Sequence, residues 1–467
     1  MYGLFTGLEI GKRALMSSQL AINTTGHNMA NVNTPGFSRQ RVSVTTAYPA
    51  QTMWGKAGTG VEINGVEHIR DQFLTGQYRD ENASLGSWEY REKNMMTIES
   101  FFNEPTENGL GHTLDEFWVS WENLAGADAS NPALRTEVLS RAEVLTNRFH
   151  QLDRQLHDLR QNIDLEIRNQ VLDLNEIGRQ IADLNRQISL QELGSQKAND
   201  LRDRRDHLVD ELSKFVDVSV MDKSNGTATV LIGSMAFVDG DDYLKLDTEI
   251  TSNNGISTTN IVWEGTSMEV RFRDGEMAAM IAARDVDVLK YEGYLDSLAK
   301  TIVESVNQVH RTGYGLDDQT GRDFFDSRYI DAEHISISGD VLDQPNCIGA
   351  AAAAGTPGDG SIAQQIADTM KYSRIMDNNT ATISEFYGGI VGRIGIATQE
   401  ATNYKDNYGM LVQQIENQRQ SVQGVSMDEE MINLVKFQNA YDAAARVITT
   451  MDQALETLIH NTGVVGR

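Results

Sequence analysis

The chain has 467 residues, of which 67 are acidic and 40 basic, for a formal net charge of −27, with 7% aromatics, 6 prolines and one cysteine. That length predicts two to four domains. The charge excludes a nucleic-acid surface and disfavours anionic membranes, both of which need a basic face.

Residues 4 to 32 read as a helix with a narrow seam. Leu8, Leu15, Ile22 and Met29 recur every seven residues, with the small residues Ala14 and Ala21 beside them, a pattern suited to close helix packing. The start has no basic stretch followed by an apolar block, so no cleavable signal peptide is expected. The helix runs into Asn28, Asn31 and Asn33, whose short amides compete for backbone groups and favour a helix end. Thr34-Pro35-Gly36-Phe37 then predicts a type II turn: Pro35 presets φ at its second position and Gly36 supplies the positive φ of the third. Phe37 is a large apolar residue in polar company, suited to anchor against a neighbouring helix. Taken alone this stretch is a capped helix end and a turn.

Runs at Val42–Thr46 and Gly60–Val66 alternate and are expected as strands. Helix resumes at Asp71 and is broken once, at Asn108–Gly111. From Leu145 through Phe149, Leu152, Leu156 and on to Ile188, apolar residues keep alternating steps of three and four, with Gln170 the one polar interruption. That predicts a rod of about 47 residues, ~70 Å long, which must pack in a bundle or coiled coil. A second, antiparallel helix is expected from Asn199. Residues 216–275 read as a small inserted β-domain, with a hairpin turn at Asn225-Gly226, a run Val230–Val238, and further strands at Ile261–Trp263 and Met268–Phe272. Helix is expected from Gly275 to Tyr314, then loops, then helix from Ile362 to the end.

The C-terminal run carries the second seam. Leu434, Tyr441, Ile448 and Leu455 fall at heptad position a, and Phe437, Ala444, Met451 and Leu458 at d. Two terminal helices with heptad seams should pair, with the rest of the chain hanging from them. A lone two-helix pair is weakly stable, so its remaining faces are expected to become ordered against neighbouring subunits.

The search for chemistry is negative. Nine histidines lie scattered, with no His-Glu-x-x-His and no His/Cys cluster, so no metal site is expected. His150 and His157 share a helix face and read as solvated or satisfied. Asp239–Asp242 lacks the length and terminal glutamate of a calcium loop and reads as a charged turn. Gly389, Gly392 and Gly395 lie in a helical region and read as close helix packing, not a phosphate loop. Cys347 reads as a buried inert thiol, and Asp428-Glu429-Glu430 as acidic residues favoured at a helix N-terminus. No catalytic residue and no cofactor are expected.

Ala30–Phe37 after the N-terminal heptads resembles the signature of the flagellar rod, hook and hook-associated axial protein family, and Gly424–Tyr441 resembles its C-terminal signature. Ala198–Asp206, Asn307–Tyr314 and Phe324-Phe325 are similar to the hook-associated branch, which forms the hook–filament junction. The resemblance implies a mainly α fold with inserted β-structure: an axial coiled-coil core from both termini, a long antiparallel helical bundle and a small outer β-domain. The expected division is 1–70 with 405–467 as the core, 71–215, 276–325 and 362–404 as the bundle, 216–275 as the β-domain and 326–361 as a loop-rich connection. It further implies a non-enzymatic protein exported by the flagellar type III route and polymerising on the hook tip. The implied partners are copies of itself, the hook protein, a second junction protein and an export chaperone, with no nucleic acid and no membrane. The assembly or hinge residues would be Asn28, Asn31, Thr34, Pro35, Gly36 and Phe37. A rod or hook component is the sibling alternative; an extracellular enzyme on a helical stalk is the alternative from another class.

Overall fold

The N-terminal heptads form one helix, α1 (Leu4–Ala30), in a computed structural model that describes residues 4–461 apart from 53–54, 103, 105, 107–108, 195 and 254–255. The turn after it leads into β1 (Gln40–Thr46), and the chain returns through a small hairpin, β2 (Ala50–Thr52) and β3 (Gly55–Ala57), to β4 (Val61–His68). β1 and β4 pair antiparallel from Gln40↔His68 to Thr46↔Val61, with a bulge at Ser43/Val44. The β2–β3 hairpin was not expected.

Four helices follow: α2 (Gln72–Phe102), α3 (Leu110–Gly126), α4 (Pro132–Gln191) and α5 (Asn199–Phe215). α4 is the rod, and at 60 residues it is longer than expected, ~90 Å at the usual rise. Asn131 caps its first turn by accepting from Ala133 N at 3.0 Å, and Pro132 occupies the position where its missing N–H costs nothing. The apolar stripe from Leu145 understated the helix because its first turns bury Arg135, Val138 and Ala142, which do not read as a leucine stripe. The break at Ala127–Asn131 went unforeseen for the same reason. Gln170 marks where a straight 3.6-residue helix outruns the seven-residue repeat, and Val171 takes the core position.

The region after α5 holds β5 (Val218–Asp222), β6 (Ala228–Ile232), β7 (Met235–Asp239) and β8 (Asp242–Tyr243) in one antiparallel sheet. A separate hairpin pairs β9 (Leu246–Asn253) with β10 (Ile256–Trp263). The run Val230–Val238 is two strands, divided at Gly233, whose φ of +59° turns the chain. Met268–Phe272 is not a strand; only Glu269 bridges back to Val262. These strands lie against the rod and share its core, with Phe237 packed where Gly178 of α4 leaves room.

α6 (Glu276–Ala282) passes through a π-helical stretch, Ala283–Asp287, into α7 (Val288–His310). Loops then carry a short α8 (Gly339–Asp343) and lead to α9 (Ser361–Tyr372), α10 (Ile383–Gln423) and α11 (Met427–Asn461). The expected unbroken helix after Ile362 is therefore cut twice, at 373–382 and 424–426. Thr382 and Glu385 form a capping box that starts α10 afresh. α10 runs without a break through 404–405, where a domain edge was expected. Gly389, Gly392 and Gly395 of α10 do not serve close packing within the chain: a Cβ at Gly392 or Gly395 would meet nothing within 4 Å, and one at Gly389 only Arg393. Cys347 is buried, and burial pushes its thiol up.

Candidate functional site

The two chain ends meet as an antiparallel pair. Gly7 faces Met451, Gly11 faces Ile448, and Asn28 faces Glu430. A Cβ on Gly7 would lie 2.8 Å from Met451 Cε and one on Gly11 2.8 Å from Ile448 Cγ1, so the missing side chains let the backbones approach. Of the C-terminal seam, Ala444 is buried, while Leu434, Phe437, Tyr441, Ile448, Met451 and Leu455 are half-buried and Leu458 is exposed. On α1 the most buried positions are small or polar: Gly11, Ser18, Ala21, Thr24, Thr25 and Asn28. Leu8, Leu15, Ile22 and Met29 are half-buried beside that row. Met431, Ile432 and Val435 on α11, with Phe5 and Met16 on α1, stand exposed.

The end of α1 is built by the asparagines. Asn28, 1% exposed, donates to Gln40 O at 2.9 Å and accepts from Gln40 N at 3.0 Å, so its amide binds β1 as another strand would. Its Nδ2 also donates to Glu430 Oε2 at 3.1 Å. Asn31 donates to His27 O at 3.0 Å and accepts from Thr34 Oγ1 at 3.2 Å. Phe37 N donates to Thr34 O at 3.2 Å and Gly36 has φ +73°, the expected turn. Pro35, Gly36 and Phe37 line a groove of about 640 Å³ with Tyr78, His207 and Arg419. The Phe37 ring meets His27 of α1, the helix that leads into the turn, edge-on at 5.5 Å.

The residues after the turn bind segments far away in the chain. Arg39 Nη1 reaches Glu429 Oε2 at 2.8 Å, Arg39 Nη2 reaches Glu430 Oε1 at 2.7 Å, and Arg39 N donates to Gln423 O at 2.8 Å. Ser38 N donates to Asp203 Oδ2 at 2.9 Å, and Gln40 Nε2 donates to Asp200 Oδ1 at 2.7 Å. One short run thus ties together α1, the α10–α11 corner and α5.

α5 supplies the acceptors along one face. Asp203 meets His68, Asp206 meets Arg70, and Asp210 takes Arg79 Nε at 2.6 Å and Arg419 Nη2 at 2.7 Å. Burial opposes the charge on Asp210, yet Arg79, Arg419 and Arg70 outweigh it and hold its carboxyl below the ordinary range. Burial brings the Arg205 guanidinium down to about 10, against the pull of Asp222. Arg419 also lies 4.3 Å over the Tyr78 ring. A buried network of this kind stabilises little against an apolar core but is costly to break, so it fixes one geometry.

Glu430, Arg39, Gln40, Asp210 and Arg419 were missed in the sequence. For Glu430 a signal existed: carrying the C-terminal heptad one step upstream puts it at d, a charged residue in a core position. Placing it at a helix N-terminus was incomplete, since it is 2% exposed and bonded to Arg39 and Asn28. Among the described residues no group of three or more His, Cys, Asp or Glu could hold a metal, and no helix is long and apolar enough to cross a membrane.

Three family models match in order along the chain: "Flagella basal body rod protein" over 8–37, "Flagellar hook-associated protein FlgK helical domain" over 95–325, and "Flagellar basal body rod FlgEFG protein C-terminal" over 417–461. The first and last coincide with the paired ends, so the chain is of the class of flagellar structural proteins. Flagellar hook-associated protein 1 of Bacillus subtilis (strain 168) is 31% identical over the whole of both chains, and that of Escherichia coli (strain K12) 25% identical over 96% of this chain and 98% of the relative. This chain belongs to the flagellar hook-associated protein 1 family. The flagellar hook junction protein FlgK of Burkholderia pseudomallei shares its fold, with a TM-score of 0.67 at 15% identity over 74% of this chain and all of that one.

Proposed function

We propose that this chain joins hook to filament by polymerising through its paired terminal helices while a rigid polar junction sets the angle of the bundle. It is a structural hook–filament junction protein of the bacterial flagellum. The observation that carries the mechanism is the triple attachment of residues 38–40 to α5, to the end of α10 and to the start of α11. Any tilt of the terminal pair against the bundle must break several buried, charge-assisted hydrogen bonds together.

The exposed apolar residues of α1 and α11 supply the faces for neighbouring copies, the hook protein below and a second junction protein above. We assign α1, its β-structure and α11 to the axial core. α10 goes to the bundle for its whole length, because it pairs with α2 and ends at the corner held by Arg39. The strands of 216–275 form the outer part and 326–361 the loop-rich connection. Asn28, Asn31, Thr34, Pro35, Gly36 and Phe37 act as the hinge element, and both seams act in assembly. The chain leaves the cell through the flagellar export apparatus with a chaperone, and works mechanically, not as an enzyme.

Cells lacking the gene should carry hooks without filaments and shed filament subunits into the medium, and expression of the chain should restore filaments. Normal filaments in the deletion strain would refute the junction role.

A further inference from the structure

Residues 326–338 form a closed loop on a narrow neck. Phe325 and Ile337 bridge antiparallel, Asp326 N donates to Ser336 O at 2.8 Å, and Ser338 N donates to Phe324 O at 2.9 Å. The loop folds down onto α4 and α7, where Ala332 and Ile335 are fully buried. Two polar contacts hold it: Ala332 N donates to Asp296 Oδ1 at 2.9 Å, and His150 Nε2 donates to Ile335 O at 2.9 Å.

Carboxylates crowd beneath it. Asp153 on α4 and Asp296 on α7 face Asp331 and Glu333 of the loop itself, and Glu292 on α7 stands beside Asp153 and Asp296. The nearby cations are few. Asp331 Oδ1 lies 2.7 Å from His334 Nδ1, His157 stands near Asp153 and Glu292, and Arg160 faces Glu292. Arg328 is taken by Asp326 at 2.6 Å. No lysine or arginine reaches Asp153 or Asp296 with a salt bridge among the described residues, so at neutral pH the loop and its seat carry like charges.

We propose that loop 326–338 is a proton-operated clasp, which seats firmly on α4 and α7 under mild acid and loosens as the carboxylates beneath it ionise. Burial, then Glu333 and Asp296, pushes the Asp153 carboxyl up to about 6, and burial also raises Glu292 and Asp296. Each of these acids binds its proton more tightly in the seated state. Their contribution is complete below the ordinary carboxylate range and is lost as pH rises through about 6. The closed neck confines the response to the loop.

Hydrogen exchange on the full chain tests the clasp. Protection of the amides at 332–335 is corrected for intrinsic rate and expressed relative to α4 amides around Leu152. It should rise roughly fourfold from about pH 7.5 to about pH 5.5, the change that a carboxyl titrating near 6 when seated and at its ordinary value when open carries over that window. Asp153→Asn should raise protection at neutral pH and flatten the dependence. Glu333→Gln, on an exposed side chain, does the same more weakly and serves if the first variant folds poorly. Relative protection that stays level or falls with acid overturns the clasp, as does an unaltered pH slope in the folded variants.

Discussion

Asn28 and Glu430 lie 402 residues apart and share a buried hydrogen bond of 3.1 Å. Asn28 is the last buried residue of α1 and Glu430 the first of α11, so this contact is where the terminal pair closes. Asn28 also holds β1 through Gln40, and Glu430 also holds Arg39. Glu430→Ala should therefore destabilise the junction by about 1–3 kcal/mol, the cost of leaving a buried donor unpaired. Glu430→Gln should cost less, because its amide oxygen still accepts from Asn28. Amide exchange along α11 should speed up in both variants while the protection of α4 stays unchanged.

The two glycines that face α11 should respond differently to a methyl group. At Gly7 the obstacle is Met451 Cε, the free end of a flexible side chain, which can swing aside. At Gly11 it is Cγ1 of β-branched Ile448, which is stiff. Gly7→Ala should be neutral or gain up to about 1 kcal/mol of helix propensity, and Gly11→Ala should lose about 1 kcal/mol or more through overpacking. Circular dichroism melts of the two variants, with filament counts in complemented cells, separate the two outcomes.

How much of this was legible depended on whether a residue's partner lies close in sequence. The Thr34–Phe37 turn was readable because Pro35 and Gly36 carry its geometry in their own backbones. The rod was readable from its period, since a stripe from Leu145 to Ile188 has no other stable arrangement. The seam of α1 was legible only in part, because the residues in closest contact are Gly7 and Gly11 and hydrophobic counting ignores them. Asp210, Arg79 and Arg419 are ordinary charges on three separate helices, and nothing local foretells that they meet in the interior. Glycines in α10 suggested a packed face that the fold leaves open.

That open face yields a test of its own. A methyl at Gly392 or Gly395 meets no atom within 4 Å, so only backbone entropy and helix propensity change. Gly392→Ala and Gly395→Ala should each stabilise the monomer by about 0.5–1 kcal/mol, read as a shift in denaturation midpoint. Stabilised variants that still build filaments leave the face solvated in the flagellum. A stabilised variant that builds none places another subunit against it.

Acid should act on the bundle in the opposite sense to its effect on the loop, through His310. This imidazole is 1% exposed, its Nδ1 bonds Arg322 O at 2.8 Å, and its Nε2 accepts from Gly349 N at 2.8 Å. The second bond needs a bare nitrogen, so the ring is neutral with its proton on Nδ1. Burial pushes the His310 imidazole down to about 4, while the unfolded chain keeps the ordinary value near 6.5. Between those limits the unfolded state binds the extra proton. Stability contributed by His310 is thus whole above about pH 6.5 and falls by about 3 kcal/mol as pH drops through about 4. Urea midpoints of the full chain should decline across that window. In His310→Gln the amide can still donate and accept but takes up no proton, so its decline should be shallower, even though the variant starts less stable. A wild-type decline retained in full by the folded variant would locate the acid sensitivity elsewhere.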